Sequence, residues 1–388
     1  MQEGPPPLSS EPALDPVLGR ALAKEPDERY GSCIELIRAA RRPAQEAARD
    51  LPQGRRRTSL LPRPALEPPG WLARRSVTLA IVLLVGGAAL AAGLILIVGE
   101  RSSPTDLRVP ANAVARIDSG TNRITGATPV GSGPTRIDAG AGGVWVANFD
   151  DRTLSRLDPA SGEEVRTIST EGAPTGLAVG AGAIWVAHEF DETLSRVDPG
   201  QNEVTANIAL GNGVTDVAAG AGAVWVVNGL DGTVGRIEPG TNEVVETFEI
   251  GGNPESLAVG AGAVWVASGR TILRLNPASG AVTTIALRSD ATQVAVGGAA
   301  VWISNGPSDS VTKVDVETGT ASRAIAVGDD PTGIAVGAGG VWVANRLDGT
   351  VSRIDPSTSA LVETIEIGSA VEDVTVDRDT VWVTAPSD

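Results

Sequence analysis

Two kinds of hydrophobic pattern divide this chain. The first is one uninterrupted run. No charge falls between Ser76 and Gly99, and 13 of the 22 positions from Val77 to Val98 are Leu, Ile or Val. As a helix rising about 1.5 Å per residue, that run is about 33 Å long, enough to cross a bilayer core of about 30 Å. It is too long and too far from the N-terminus for a signal peptide. The pattern therefore predicts a transmembrane helix over 76–99.

The second pattern is a repeat. Trp145, Trp185, Trp225, Trp265, Trp302, Trp342 and Trp382 are spaced 40, 40, 40, 37, 40 and 40 residues apart. Each lies in a short apolar run such as "GAIWVAH" or "GAVWVVN". A period near 40 with several short strands per unit indicates a propeller or a solenoid. One unit, 174–211, reads as four strands: "TGLAV", a "GAG" hairpin, "AIWVAH", "TLSRVD", a "DPGQN" turn and "EVTANIAL". Glycine supplies the positive φ that the tight hairpin needs.

The two ends of the repeat region are complementary. It opens at Ala111 with "NAVARIDSGTNRITGATPVG", which aligns with third and fourth strands, and closes with "VEDVTVDRDTVWVTAPSD", which aligns with first and second strands. Six whole units and two halves predict an all-β, seven-bladed β-propeller whose halves pair into the last blade and remove the free strand edges. The organisation read from the chain is 1–42, a linker 43–75 rich in Pro and Arg, the transmembrane helix 76–99, a linker 100–110 and the propeller 111–388.

Charge orients this arrangement. Nine arginines lie between Arg41 and Arg75, against Arg101 and Arg108 on the other flank. The basic flank stays cytoplasmic, which puts the propeller outside the cell at the plasma membrane. The chain carries −16 overall; residues 101–388 hold 18 basic and 36 acidic groups, a net −18. Such a domain is not expected to bind nucleic acid. The one cysteine, Cys33, precedes the span, so the propeller has no disulfide and relies on its core. Gly87 with Ala91, and Ala89 with Gly93, give small-xxx-small spacing through which two spans can pair as a homodimer. "RRRTS" at 55–59 reads as an ordinary charged flank of the span.

Within the repeat, constant columns read as structure. A buried Trp removes about 150–250 Å² from water, up to about 5 kcal/mol. The seven tryptophans therefore read as core. A basic residue recurs in the third strand (Arg116, Arg156, Arg196, Arg236, Arg274, Lys313, Arg353), and an Asp recurs before it (Asp151, Asp191, Asp231, Asp309, Asp348, Asp388). These read as structural ion pairs and loop anchors. Variable columns are the candidates for recognition. The column leading into the first strand reads Arg136, Gly176, Asp216, Ser256, Gln293, Gly333, Asp373, and the loop between second and third strands reads Phe149, Glu189, Gly229, Gly269, Gly306, Arg346, Pro386. Arg136, Asp216, Ser256, Gln293, Asp373, Phe149, Glu189 and Arg346, with His188, are the expected ligand-binding residues. One histidine and no cysteine make a poor metal or acid–base set, so no cofactor, metal or catalytic residue is expected in the ring.

Residues 111–388 resemble the YVTN-type repeats of bacterial β-propellers, a resemblance that implies the fold more than the function. Some propellers of similar repeat are lyases acting on cyclic depsipeptide antibiotics; they use more than one catalytic His, whereas this chain has only His188. Residues 8–42, including "ALAKEPDERYGSC", resemble the end of a bacterial receptor Ser/Thr protein kinase domain. Leu14, Val17, Leu18, Ala21 and Leu22 form one helical stripe, Pro26 breaks it, and Ile34, Leu36 and Ile37 fall in a second helix. By that resemblance Arg29 matches a buried arginine whose glutamate partner is missing here, as are the Gly-rich loop, the strand lysine, H-R-D and D-F-G. The chain thus reads as the C-terminal part of a membrane sensor kinase, with the ring as its ligand- or partner-binding module. Alternatives are an exterior propeller lyase and an adhesion scaffold.

Overall fold

The computed structural model describes residues 108–387. These form 28 strands, numbered in chain order, in seven four-stranded antiparallel sheets. The expected transmembrane segment 76–99, the expected kinase-like stretch 8–42 and Asp388 lie outside the described residues. Among the described residues no helix is long and apolar enough to cross a membrane.

Blade 1 shows how the pattern becomes a sheet. Its strands are β3 (Pro134–Gly140), β4 (Gly143–Asn148), β5 (Thr153–Leu157) and β6 (Glu164–Ser169). Every residue of β4 is buried, which explains why the tryptophan strands read as continuous apolar runs rather than alternating ones. β6 is exposed except at Ile168, so the outermost strand carries the charged residues. The hairpins joining first and second strands turn in two residues, and in five of the seven both are left-handed. Ala181 has φ +51° and Gly182 φ +78°, so alanine, not glycine alone, adopts the positive φ that a type I′ turn demands.

Seven hydrophobic clusters fill the gaps between blades. In the first gap, Trp145 and Leu154 of blade 1 pack with Leu177, Ile184 and Val186 of blade 2. All seven tryptophans are at most 1 % exposed. Five indole Nε1 groups, for example that of Trp145, donate to the last carbonyl of the neighbouring first strand (Gly140, 3.1 Å). Ring closure follows the expected two-plus-two scheme. β1 (Ala113–Asp118) pairs antiparallel with β28 (Thr380–Ala385), placing Arg116 opposite Trp382 in a sheet of order β2-β1-β28-β27. The closed domain reaches further upstream than 111, because Val109 is buried in the cluster between blades 6 and 7.

Candidate functional site

The residues that hold the blades together must be separated from those left free. The repeated cation of the third strand lies over the tryptophan of its own blade, from 4.9 Å (Arg353 over Trp342) to 5.8 Å (Arg116 over Trp382). In five of the seven blades its donors then reach a turn of the next blade, whereas Arg236 lies 3.7 Å from Glu246 of its own blade. Arg156 Nη1 donates to Pro199 O (2.8 Å) and Asn202 Oδ1 (2.7 Å); Arg353 Nη1 donates to Ser119 O and Asn122 Oδ1 (both 2.7 Å). Lys313 Nζ donates to Pro356 O (2.8 Å). The repeated Asp serves a different loop: Asp151, Asp231 and Asp348 accept from the backbone N–H of Ser132, Asn212 and Asp329 at 2.7, 2.7 and 2.8 Å. The expectation that the two columns form ion pairs is therefore corrected. Each anchors a loop, and they do so on opposite sides of the blade.

The seven innermost strands line a central channel of about 310 Å³. They are β3, β7 (Gly176–Gly180), β11 (Val214–Gly220), β15 (Pro254–Gly260), β19 (Gln293–Gly297), β23 (Pro331–Gly337) and β27 (Val374–Asp377). In four gaps a side chain bridges to a backbone N–H of the next blade. Asp138 accepts from Val179 (2.7 Å), Asp216 from Leu257 (3.0 Å), Gln293 from Ile334 (3.0 Å) and Asp373 from Ile137 (3.1 Å). Where Gly176 and Gly333 replace the bridging residue, the next strand comes close. A Cβ on Gly333 would lie 2.6 Å from Asp373 Cα, and one on Gly176 would lie 3.2 Å from Asp216 Cα. The variable column thus encodes two ways of closing a gap, a carboxylate or amide bridge and a bare backbone approach.

The channel concentrates charge. Burial pushes the carboxyl of Asp138 up to about 6. Burial also raises Asp216 and Asp373, and the Arg136 guanidinium pulls both back towards ionisation. Burial opposes the charge on Arg136 in turn, but Asp373, Asp216 and Glu372 outweigh it and leave the pKa above its ordinary value. Arg136 Nε donates to Thr175 O of blade 2 at 3.0 Å.

Loops between second and third strands and loops leading into first strands share one face around the channel mouth. Arg346 Nε donates to Asp330 Oδ2 at 2.8 Å across two of them. Phe149 and Phe190 meet edge-to-face, with centroids 6.2 Å apart. Phe190 is 72 % exposed, Leu230 78 % and Leu347 59 %, each directly before the repeated Asp of its loop.

Of the residues expected to bind a ligand, Arg136, Gln293 and Asp373 face the channel together with Asp216, while Phe149, Glu189 and Arg346 lie on the loop face. Two expectations are corrected by burial. Ser256 is 1 % exposed and donates to Asp216 Oδ2 at 2.9 Å, so it supports a bridge. His188 is fully buried, and its Nε2 lies 2.9 Å from Ser195 Oγ, the partner that Asn148 has in Ser155. Burial lowers the His188 pKa below the ordinary range. A histidine so enclosed has no route to a substrate, which removes the one residue on which the lyase reading relied. Asp138, Phe190, Leu230 and Leu347 were missed by column reading. Asp138 lies two residues past the variable column, and the other three lie one past it. Among the described residues no three His, Cys, Asp or Glu side chains are placed to hold a metal ion.

The comparisons bear on the fold. Residues 164–305 match a family described as a domain of unknown function, DUF5074. No curated protein matches the chain. Among solved structures, hydrazine synthase of Kuenenia stuttgartiensis is similar at 13 % identity and TM-score 0.58, over 66 % of this chain and 97 % of that one. The computationally designed Ika8 protein is similar at 18 % identity and TM-score 0.55, over 71 % and 94 %. The WD40 β-propeller domain of Doa1 is similar at 13 % and TM-score 0.56, over 66 % and 93 %. At such identities the likeness is one of fold, and the described residues form an all-β, seven-bladed propeller.

Proposed function

We propose that the ring is a binding module of a membrane-anchored sensor, held outside the cell by residues 76–99, and that it docks a partner on the face carrying Phe190, Leu230 and Leu347. The fold suits a binding or scaffold role. The resemblance of residues 8–42 to the end of a Ser/Thr kinase domain is what supports reading the ring as the receptor part of such an architecture. One observation carries the reading. Three large apolar side chains stand in solvent at the same loop position of blades 2, 3 and 6, beside the carboxylates of Asp191, Asp231 and Asp348. Exposed apolar groups rimmed by charge mark interaction sites. The matching partner presents apolar side chains flanked by cations.

The test is site-specific photo-crosslinking in intact cells. A photoreactive amino acid at position 347 is expected to capture a partner that the same group at position 358, on the opposite face, does not. With the photoreactive group kept at position 347, replacing Phe190 and Leu230 together by Ala is expected to abolish the capture while leaving the folded ring intact. Equal capture from both faces, or capture that survives the double substitution, would remove this face from the function.

A further inference from the structure

One pair of positions, at the end of the second strand and the middle of the third, recurs in every blade. In blades 1, 2, 5 and 6 the pair is a polar group bonded to a hydroxyl. Asn148 pairs with Ser155, His188 with Ser195 and Asn345 with Ser352, all at 2.9 Å, and Thr312 pairs with Asn305 at 2.7 Å. Blade 4 fills the third-strand position with Leu273, and blade 7 makes both positions apolar with Ala385 and Ala115. Blade 3 keeps the amide, Asn228, but has Gly235 where the hydroxyl belongs.

The consequence is a cavity. The strands are β12 (Ala223–Asn228), β13 (Thr233–Glu238) and β14 (Glu243–Glu249). Gly235 lies opposite Val226 on one side and Thr247 on the other, and Thr233 lies opposite Asn228 and Glu249. Over this surface, facing Leu210 of blade 2, is a space of about 550 Å³, the size of a small-molecule site. At its floor Asn228 is 5 % exposed and its Nδ2 donates to Thr233 Oγ1 at 3.0 Å; its Oδ1 is buried without a partner, as are those of Asn148 and Asn345, so what sets blade 3 apart is the missing acceptor at Nδ2. The amide that uses two hydroxyl partners in blade 1 has one here. At the rim stand the carboxylates of Asp231 and Glu249, and no cationic side chain lines the space. Asp231 accepts from Asn212 through both oxygens, yet a carboxylate has about four acceptor sites, so capacity remains.

We propose that this cavity binds a small hydroxylated amine in its protonated form. The ligand hydroxyl takes the place of the missing serine hydroxyl and accepts from Asn228 Nδ2, as Ser155 accepts from Asn148 and Ser352 from Asn345. The carbon stem lies along Val226, Val244 and Leu210. The ammonium sits between Asp231 and Glu249, which would repel a carboxylate or phosphate. The site shares Asp231 with the loop face, but Gly235 and Glu249, which carry its test, are not part of that face, so either can fail alone.

The experiment uses the full chain in detergent micelles, titrated by calorimetry with 3-aminopropan-1-ol. Propane-1,3-diol lacks the charge, propan-1-amine lacks the hydroxyl and 3-hydroxypropanoate reverses the charge. The amino alcohol is expected to bind at least about tenfold more tightly than each of the three. Gly235→Ser restores the side chain found in blades 1, 2 and 6. The Cβ would approach Val226 Cγ2 at 2.9 Å, a contact that the equivalent Val146 and Ser155 of blade 1 accommodate. This variant is expected to lose amino-alcohol binding while unfolding at the same or higher temperature. Glu249→Gln, at the solvent edge, is expected to weaken binding by about threefold or more and carries the test if Gly235→Ser does not fold. No binding of the amino alcohol, equal binding of the diol, or unchanged affinity in the folded variants would overturn the proposal.

Discussion

The two ways this ring ties blade to blade follow opposite logics. The outer tie is nearly uniform: a cation over a tryptophan in every blade, with its donors in five of them reaching the next blade's turn carbonyls at Ser161, Pro199, Val316, Pro356 and Ser119. The inner tie, along the channel, is made in four gaps only, by Asp138, Asp216, Gln293 and Asp373. The outer gaps are wide and alike, so one pair of side chains serves them all. The inner strands converge on the channel axis, where some backbones meet directly through glycine and others leave an N–H that needs an acceptor. Repetition therefore marks framework, but irregularity does not by itself mark a ligand. Much of the inner variation is also framework.

Removing the uniform tie should have the largest effect. Trp342 is fully buried between blades 6 and 7, beneath Arg353, which reaches the turn of the closing blade. Trp342→Ala is expected to cost about 3–5 kcal/mol, the range for deleting a buried aromatic. Urea unfolding of the wild type and the variant measures it. A loss below about 1 kcal/mol would mean that the gap can collapse and that the outer tie is not what holds the blades.

The same contrast explains what could be read from the sequence. The outer tie repeats at about 40 residues, so the tryptophans, the cations, the blade count and the two-plus-two closure were all legible, down to strand bounds such as Ala183–His188. The inner tie was not. Asp216, Gln293 and Asp373 stand in one column, but Asp138 stands two residues later because Arg136 occupies that column, and a strand presents the same face every second residue. His188 looked functional for being alone. Its place in the fold is that of Asn148 or Asn345, and a lone histidine in an asparagine column is explained by the serine it bonds. The pocket beside Gly235 was written in the sequence as a missing serine, yet its meaning depends on knowing that Ser155 and Ser352 bond the amide across the sheet.

The next effect isolates the inner tie through pH. Burial raises Asp138 from an ordinary 3.8 to about 6, so the folded state holds a proton there between those values and the unfolded chain does not. Its penalty is therefore fully present above pH 6 and is relieved as pH falls towards 3.8. His188 acts in the opposite sense, because its lowered pKa makes the fold lose stability as pH drops below 6.5. Comparing Asp138→Asn with the wild type at each pH cancels the histidine. The variant is expected to be the more stable at pH 7, by up to about 3 kcal/mol less the cost of one weakened hydrogen bond. That advantage should shrink steadily as pH falls from 7 to 4. A difference constant with pH would show that the Asp138 carboxyl is solvated, and that the channel wall is not the dry environment assigned to it.

The smallest effect asks how much of the outer tie is geometry and how much is charge. Arg156 makes three contacts through its fork: Pro199 O, Asn202 Oδ1 and Gly142 O, at 2.8, 2.7 and 3.2 Å. Blade 5 already carries the alternative, since Lys313 lies 5.1 Å above Trp302 and still reaches Pro356 O at 2.8 Å. A point cation can therefore keep the seat over the indole and one carbonyl, but it cannot hold Asn202 and Gly142 as well. Arg156→Lys is expected to cost about 0.5–1 kcal/mol, within the range for partly exposed polar contacts, and urea unfolding resolves it. The reverse change, Lys313→Arg, should be neutral or slightly stabilising. If Arg156→Lys instead cost several kcal/mol while Lys313→Arg gained nothing, the fork contacts to the turn would carry the tie in blade 1, and the uniform outer column would conceal two mechanisms, as the inner column does.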